Sequence, residues 1–438
     1  MQRRAPNTSF AKPRRKANPA TLQLAAERGA ASLTEARWAE FVRDDWEKTA
    51  TVLGGALSGP LVPAHQMFGV LLEVSKAYRK GRAEDKLSFW IDGRKMHELT
   101  AYLPAANDKS VEGYVHRLER QLRGSDFTLL VADPHIFDYS LWNAARCFLR
   151  GLYAQVSMPC GGVDSTFFVG RYKRTPFGVH RGQMSVMTFP VHGEKRFRIW
   201  PRGYGEAHPE IDSLLEYPDH EAASSQLVGN AQDVLYWPAD IWHIAEGSDH
   251  FTSTFNIGLW WDRPPLTRVL FEVSRRLAES VTTSDFRGFT ISDKFSNGST
   301  LTTQIDGSIR EALTLTRDVV ADEEIDRSLA LNSMRTISAD AFRDVPGLQD
   351  KRSASSSPND LLCLDIHSRV LFGELDGGLY VAANGHLLSV DLSLKPLILD
   401  LESRTPILRN EAVRRGGAKF IQWLERTRVL GTKDTSEA

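Results

Sequence analysis

Two histidines and a glycine form the pattern in this sequence with the clearest chemical meaning. His180 begins a strand-like stretch, and His243 ends a second stretch 63 residues later. Two histidines on neighbouring strands of a small barrel can bind non-haem Fe(II), whose usual protein site is two histidines and one carboxylate on one face of the metal. The carboxylate normally stands two residues after the first histidine, where this chain has Gly182. Either an exogenous anion replaces the carboxylate, or another residue does, or the site has lost its metal.

The elements that must position these histidines are short and alternate in hydrophobicity. Glycine and proline punctuate them, which is typical of a β-sandwich or barrel. The predicted strands of this part are 154–158, 165–171, 178–190, 195–200, 233–237 and 253–260. The residues before them have mainly helical spacing, and the predicted elements there are helices over 21–55, 63–82, 109–123 and 138–151 with short strands at 87–91 and 129–131.

A chain of 438 residues is long enough for several domains. We predict the α+β class, with five parts in order. These are a basic arm without fixed structure (1–20), a mainly helical part that packs on the barrel (21–153), the barrel (154–265), a helical linker or dimerisation segment (266–330) and a small winged-helix-like C-terminal domain (331–438). A predicted helix at 266–282 carries an apolar stripe that suits a partner helix, so a homodimer is expected.

Composition restricts the possible partners. The net charge of −1 argues against non-specific nucleic-acid binding by the chain as a whole. The three cysteines form no CxxC pair, which fits a reducing cytoplasm and no zinc ribbon. No apolar run approaches the roughly 20 residues of a membrane span, so a cytoplasmic protein with no membrane contact is expected.

The sequence around the two histidines resembles the Jumonji-C-type cupin hydroxylases. The similar stretches are Thr175–His180, Phe189–Trp200 and Asp233–His243, within about residues 160–265. Members of that family are Fe(II)- and 2-oxoglutarate-dependent oxygenases built on a double-stranded β-helix, the cupin or jelly-roll barrel. The resemblance implies this core, and bacterial members often add a helical dimerisation segment and a winged-helix-like C-terminal domain.

The resemblance also implies roles for individual residues. His180 and His243 match the two histidine ligands of the metal. Lys195 matches the lysine that pairs with the distal carboxylate of 2-oxoglutarate, a suitable partner for a buried carboxylate. Asn256 lies where family members often have a polar residue near the cosubstrate, and Tyr172 and Thr188 are weaker candidates for the same pocket.

Gly182 departs from the hydroxylase pattern but is similar to the radical halogenases of the wider superfamily, which have glycine or alanine at this position. Losing the carboxylate opens one coordination position and removes one negative charge, and a chloride or bromide ion restores both. Arg181 and Gln183 flank this position and could donate hydrogen bonds to a halide. Side chains alternate along a strand, so we expect at most one of the two to face the metal.

The sequence therefore predicts an Fe(II)- and 2-oxoglutarate-dependent enzyme that acts on an unactivated C–H bond of a peptide or amino-acid-type substrate. Halogenation with chloride is the first hypothesis. One alternative is a hydroxylase in which Gln183 or Glu246 replaces the missing carboxylate. Another is a cupin that has lost catalysis and binds a peptide.

Overall fold

The computed structural model describes residues 33–247, 250–261, 266–280, 314, 316–318, 320, 323–349 and 357–433. Helices and antiparallel sheets are mixed along these residues, as expected for the α+β class. The helices are α1 (Glu35–Asp44), α2 (Ala64–Tyr78), α3 (Val111–Gln121), α4 (Tyr139–Tyr153), α5 (Tyr204–Ala207), α6 (Pro218–Glu221), α7 (Leu266–Ser280), α8 (Glu323–Ser338), α9 (Lys395–Glu402) and α10 (Arg409–Arg426). The strands of the first three hundred residues are β1 (Thr51–Leu53), β2 (Leu87–Ile91), β3 (Arg94–Lys95), β4 (Phe127–Ala132), β5 (Gly162–Arg171), β6 (His180–Arg181), β7 (Ser185–His192), β8 (Lys195–Trp200), β9 (Ser225–Gly229), β10 (Val234–Trp237), β11 (Trp242–Glu246) and β12 (Thr252–Trp260). The later strands are β13 (Leu361–Leu364), β14 (Val370–Leu375), β15 (Gly378–Ala383), β16 (His386–Val390), β17 (Ile407–Leu408) and β18 (Leu430–Lys433).

Two antiparallel sheets enclose a cavity in the middle of the chain. The larger sheet has the strand order β1-β10-β7-β12-β5-β4-β2-β3, and the smaller has the order β6-β11-β8-β9. From β5 to β12 the chain passes repeatedly between the sheets, with β5, β7, β10 and β12 in the larger and the other four in the smaller. Alternate residues of strands from both sheets line the cavity, as the two-residue period of a strand requires.

The N-terminal part contains more β-structure than the sequence predicted. Strands β1 to β4 all join the larger sheet, where β1 pairs with β10 and β4 pairs with β5. The predicted helix at 21–55 is confined, within the described residues, to α1, which begins where the Thr34 hydroxyl accepts a hydrogen bond from the Arg37 N–H. Trp38 of α1 packs against Phe148 of α4 with ring centroids 5.1 Å apart. These contacts anchor the helical layer to the large sheet.

Several strand predictions need correction. The predicted strand at 154–158 is wrong, because the chain there continues the C-terminal turn of α4, with the Val156 N–H donating to the Leu152 carbonyl. The predicted strand at 178–190 is divided into β6 and β7, which belong to different sheets. Strand β9 was not predicted, and His243, which was predicted to end a strand, instead lies near the start of β11.

The C-terminal part has its own apolar core and more strands than expected. Strands β13 to β18 form two three-stranded sheets, β17-β13-β18 and β14-β15-β16, which pack with α9 and α10. Arg146 of α4, which is fully buried, donates to Asn384 over 2.7 Å and so links this part to the N-terminal helices. The winged-helix-like assignment and the domain boundaries stay predictions.

Helix α7 has a neighbour within the same chain. It packs against α8, and Arg276 of α7 lies 2.7 Å from Glu324 of α8. The predicted homodimer through this helix stays a prediction.

The predicted basic arm at 1–20 and most of 281–322 lie outside the described residues. Among the helices that the structure describes, none combines the length and apolarity needed to cross a bilayer.

Candidate active site

Strand pairing places the two predicted metal ligands opposite each other. In the ladder between β6 and β11, His180 is the register partner of His243, and their ring centroids are 4.4 Å apart. The Nδ1 atom of His180 lies 2.9 Å from the Gly178 carbonyl oxygen, and that of His243 lies 3.0 Å from the Ile241 carbonyl oxygen. A carbonyl oxygen only accepts, so Nδ1 carries a proton in both rings, and in the neutral form of each ring Nε2 keeps its lone pair. Outer hydrogen bonds of this kind are what orient histidine ligands toward a metal.

Both imidazoles line one cavity of about 170 Å³ between the sheets. His243 is 6% exposed and lies against the Trp237 ring, with the centroids 5.0 Å apart. Burial, followed by the proximity of His180, lowers the pKa of His243 to about 3. His243 is therefore neutral at physiological pH, which is the form that binds a cation.

Gly182 borders the same cavity beside the histidines. A Cβ atom added at Gly182 would lie 3.6 Å from Cε1 of His243 and 3.6 Å from the Met184 carbonyl oxygen, which are ordinary van der Waals contacts. Among the described residues, no cysteine, carboxylate or further histidine joins His180 and His243 in a group whose ligand atoms all lie within 4.8 Å of one another. A side chain would fit at position 182, and among the described residues His180 and His243 are the two candidate ligands beside it.

The proposed substitute ligands do not face this cavity. Glu246 lies three residues after His243 on β11 and points to the opposite face, where it accepts hydrogen bonds from Arg198 over 2.8 Å and from Gln226 over 2.6 Å. The Glu246 alternative is therefore wrong. Gln183 is exposed and is absent from the cavity lining.

Arg181 also points away from the metal position. Its guanidinium lies 3.0 Å from the Glu206 carboxylate and 5.8 Å from the ring centroid of Trp242, on the outer face of the small sheet. Neither Arg181 nor Gln183 faces the position beside Gly182, in contrast to the expectation that one of them could contact a halide. Strand alternation explains this arrangement, because His180 and Gly182 share the inner face.

Lys195 supplies a positive charge inside the cavity. The residue is 2% exposed, and its Nζ donates to the Tyr172 hydroxyl over 2.6 Å. Among the described residues, no carboxylate forms an ion pair with this Nζ. A buried ammonium without a counter-charge is costly. This end of the cavity is therefore suited to an anionic ligand.

The remaining predicted residues lie around this lysine at different depths. Asn256 lines the cavity, and its Oδ1 accepts a hydrogen bond from the Thr188 hydroxyl over 2.7 Å. Neither Thr188 nor Tyr172 belongs to the cavity lining. Thr188 is fully buried behind Asn256, and the Tyr172 hydroxyl accepts the hydrogen bond from Lys195. Thr175 was not predicted, yet it lines the cavity with a buried Oγ1 that has no hydrogen-bond partner among the described residues. A ligand oxygen would satisfy it.

Asp164 is a second lining residue that sequence reasoning missed. Its carboxylate accepts a hydrogen bond from Nε1 of Trp260 over 2.6 Å and lies 3.6 Å from the Arg343 guanidinium. Burial raises the pKa of Asp164 to about 6. Gly258 makes room for it, because a Cβ atom there would lie 2.4 Å from the Asp164 Oδ1 atom. Polar residues at alternate positions of β5 were the available signal.

Comparison with known proteins gives structural neighbours only. No family model and no curated protein sequence matches the chain. The structure is similar to that of YcfD, a ribosomal oxygenase from Escherichia coli, with 13% sequence identity, a TM-score of 0.49, and coverage of 92% of this chain and 99% of that chain. The structure of YcfD in complex with cobalt and 2-oxoglutarate shows 13% identity, a TM-score of 0.48, and coverage of 92% and 99% of the two chains.

Proposed function

We propose that this chain is an Fe(II)- and 2-oxoglutarate-dependent oxidoreductase that acts on a C–H bond. One observation carries the proposal. Two histidines with Nε2 lone pairs available and a buried lysine without a counter-ion line the same cavity. A divalent cation suits the two histidines. A dianionic ligand could bind that cation with one carboxylate and Lys195 with the other.

We infer that the two sheets form a double-stranded β-helix. The support is the interleaved strand order, β10-β7-β12-β5 in the larger sheet against β6-β11-β8-β9 in the smaller one. The sequence resemblance over about residues 160–265 points to the same architecture. In such a fold the two sheets hold the lining residues rigidly, so the metal ligands and Lys195 keep a fixed separation.

Individual residues have separate tasks in this proposal. His180 and His243 would hold iron through Nε2, and Lys195, the Tyr172 hydroxyl and the Thr175 hydroxyl would receive carboxylate oxygens of 2-oxoglutarate. Iron with 2-oxoglutarate and oxygen would supply the oxidising power for removing a hydrogen atom from the substrate. The apolar lining, which includes Phe197 and Trp237, keeps water away from the metal position.

We further propose that chloride completes the metal site. Imidazole ligands carry no negative charge that could replace that of the usual carboxylate, and the space beside Gly182 is open to the cavity. The absence of a third ligand group near the histidines, within the described residues, supports an exogenous anion over a substitute side chain. Halogenation is then the expected reaction. Hydroxylation and loss of catalysis are the alternatives that the experiments below separate.

The cavity lining also bears on the substrate. Asp164 places a carboxylate in an otherwise largely apolar wall that includes Phe168, Phe177 and Met184. We propose a peptide or amino-acid-type substrate with a hydrogen-bond donor or a cationic group that reaches Asp164. An apolar stem next to that group would pack on the aromatic wall.

The test is product mass with a set of peptides that differ in their cationic residues. The chain is supplied with Fe(II), 2-oxoglutarate and oxygen, in chloride and separately in bromide. We expect a product in which one hydrogen is replaced by chlorine or by bromine, according to the halide supplied, with the matching increase in mass. We expect no product from the His180→Ala variant. A product that gains oxygen alone, at a rate independent of halide, would exclude the halogenase and leave a hydroxylase. Failure to bind Fe(II) and 2-oxoglutarate together would leave a binding protein.

A further inference from the structure

A second group of metal-ligating side chains lies outside this cavity, in the segment between β8 and β9. The segment covers the outer face of the small sheet, directly behind the strand that carries His243. The Trp200 indole donates to the His220 carbonyl over 2.8 Å, which fixes the end of the segment. Gly205 lies so close to Trp242 that a Cβ atom there would be 2.1 Å from the indole. The segment is therefore packed firmly against the small sheet.

Three side chains of this segment converge. They are His208, Glu210 and His220, and one ligand atom of each lies within 4.8 Å of the other two. Nδ1 of His208 is 3.1 Å from Oε1 of Glu210, and Nε2 of His220 is 4.0 Å from the same oxygen. Ligand atoms about 2.0–2.2 Å from a tetrahedral Zn²⁺ are about 3.3–3.6 Å apart. The His208–Glu210 pair is already close to that spacing, and His220 would have to move inward to reach it.

Tyr204 holds both imidazoles in orientation. Its ring stacks on His208 with centroids 4.4 Å apart and an interplanar angle of 30°. Its hydroxyl lies 3.1 Å from Nδ1 of His220. When that hydroxyl accepts a hydrogen bond from Nδ1–H of His220, the lone pair of His220 Nε2 is directed toward Glu210. Tyr204 thus orients His220 through a hydrogen bond and His208 through ring stacking.

The group is open to solvent on one side. The His220 side chain is 12% exposed while those of His208 and Glu210 are 43% and 59% exposed, so a metal could enter from solvent and keep a water ligand.

We propose that His208, Glu210 and His220 bind a divalent transition-metal cation, with Zn²⁺ the best match for two imidazoles and one carboxylate. This site is separate from the one at His180 and His243. Its cation would join residues 208–210 to residue 220 and stiffen the segment behind β11. The role is that of a structural clamp on the wall that supports His243.

The experiment uses Co²⁺ as a spectroscopic probe of the full chain carrying His180→Ala and His243→Ala, so that the proposed active site cannot contribute. We expect one equivalent of Co²⁺ with the intense visible absorption of a low-coordinate nitrogen- and oxygen-ligated ion, and displacement by Zn²⁺. Adding His220→Ala should weaken binding at least tenfold, and adding His97→Ala, at an exposed histidine elsewhere, should leave it unchanged.

Glu210→Gln keeps the proposal testable if a histidine variant fails to fold, because Glu210 is mostly exposed and its replacement is tolerated sterically. It should also weaken Co²⁺ binding at least tenfold, while circular dichroism stays that of the parent. Absence of bound Co²⁺ in the double variant, or binding that neither His220→Ala nor Glu210→Gln alters, would overturn the proposal. Neither result depends on whether the active-site proposal holds.

Discussion

Replacing Lys195 by methionine should strengthen the fold and weaken the cosubstrate complex at the same time. Lys195 is almost fully buried, and among the described residues its Nζ has the Tyr172 hydroxyl as its hydrogen-bond acceptor. Methionine has a similar length and no charge. The variant therefore removes a buried ammonium that has no counter-ion in the free protein and that 2-oxoglutarate would need for its distal carboxylate.

The two effects differ in sign and can be estimated. Removing the buried Lys195 ammonium, whose hydrogen-bond partners are incomplete, should raise the unfolding free energy by about 1–3 kcal/mol at pH 7. Loss of a charge-assisted contact to a carboxylate costs about 1.5–3 kcal/mol, which weakens the Kd of 2-oxoglutarate roughly 10- to 150-fold. Thermal unfolding without ligand measures the first effect. Anaerobic titration of the Fe(II)-loaded protein with 2-oxoglutarate measures the second.

Two matched variants separate this explanation from general damage. Lys173→Met removes an exposed lysine of the same neighbourhood and should change neither quantity. Tyr172→Phe removes the hydroxyl partner and should weaken 2-oxoglutarate binding by a smaller factor than Lys195→Met. A Lys195→Met variant with lower stability and unchanged 2-oxoglutarate affinity would refute the reasoning, because the lysine would then be a structural group.

Three further variants test other parts of the site. Burial raises the pKa of Asp164 from 3.8 to about 6, so the folded state holds more protons than the unfolded state between these pH values and stability falls as pH rises through them. Asp164→Asn should remove this decrease in unfolding free energy, which is worth up to about 3 kcal/mol. Denaturation at pH 4 and pH 7 measures it, and an equal change in unfolding free energy between the two pH values in both proteins would contradict the prediction. Glu246→Gln breaks the pair with Arg198 and should lower unfolding free energy by about 1–3 kcal/mol without changing Fe(II) affinity, whereas loss of Fe(II) would return Glu246 to the ligand set. Gly182→Asp should make Fe(II) binding independent of chloride and abolish halogenation, and continued halogenation would show that this position does not control the reaction.

Strand parity separates the parts of the site that the sequence predicts from those it does not. Strand β8 matches its predicted bounds, because apolar and polar residues alternate from Arg196 to Ile199, and Lys195 shares the inward parity of Phe197. The same argument excludes Glu246, which is an odd number of residues from His243, once β11 is known to continue to Glu246. The predicted stretch ended at His243, so the sequence assigned Glu246 to no face of a strand. Strand β11 is buried at four of its five positions, so it lacks the alternation that marks a half-exposed strand.

Other features depend on contacts between distant residues. The apolar residues Val156 and Met158 read as a strand, but they follow a helix and pack on the core from a turn. Asp164 and Thr175 enter the cavity because β5 pairs with β12 and because Thr175 donates its N–H to Ala245 on the small sheet. The opposition of His180 and His243 depends on the register between β6 and β11. Sequence spacing alone contains none of these pairings.

The most direct measurement is an anaerobic titration of the chain with Fe(II) and 2-oxoglutarate, with and without chloride, followed by the visible metal-to-ligand charge-transfer band. The account predicts that the band develops at one Fe(II) per chain, that chloride shifts it or tightens the 2-oxoglutarate binding, and that His180→Ala and His243→Ala abolish it. A band that is indifferent to chloride would contradict the halide ligand. Absence of the band in the unaltered chain, with Fe(II) and 2-oxoglutarate both in excess, would contradict the central claim that this cavity holds iron and its cosubstrate together.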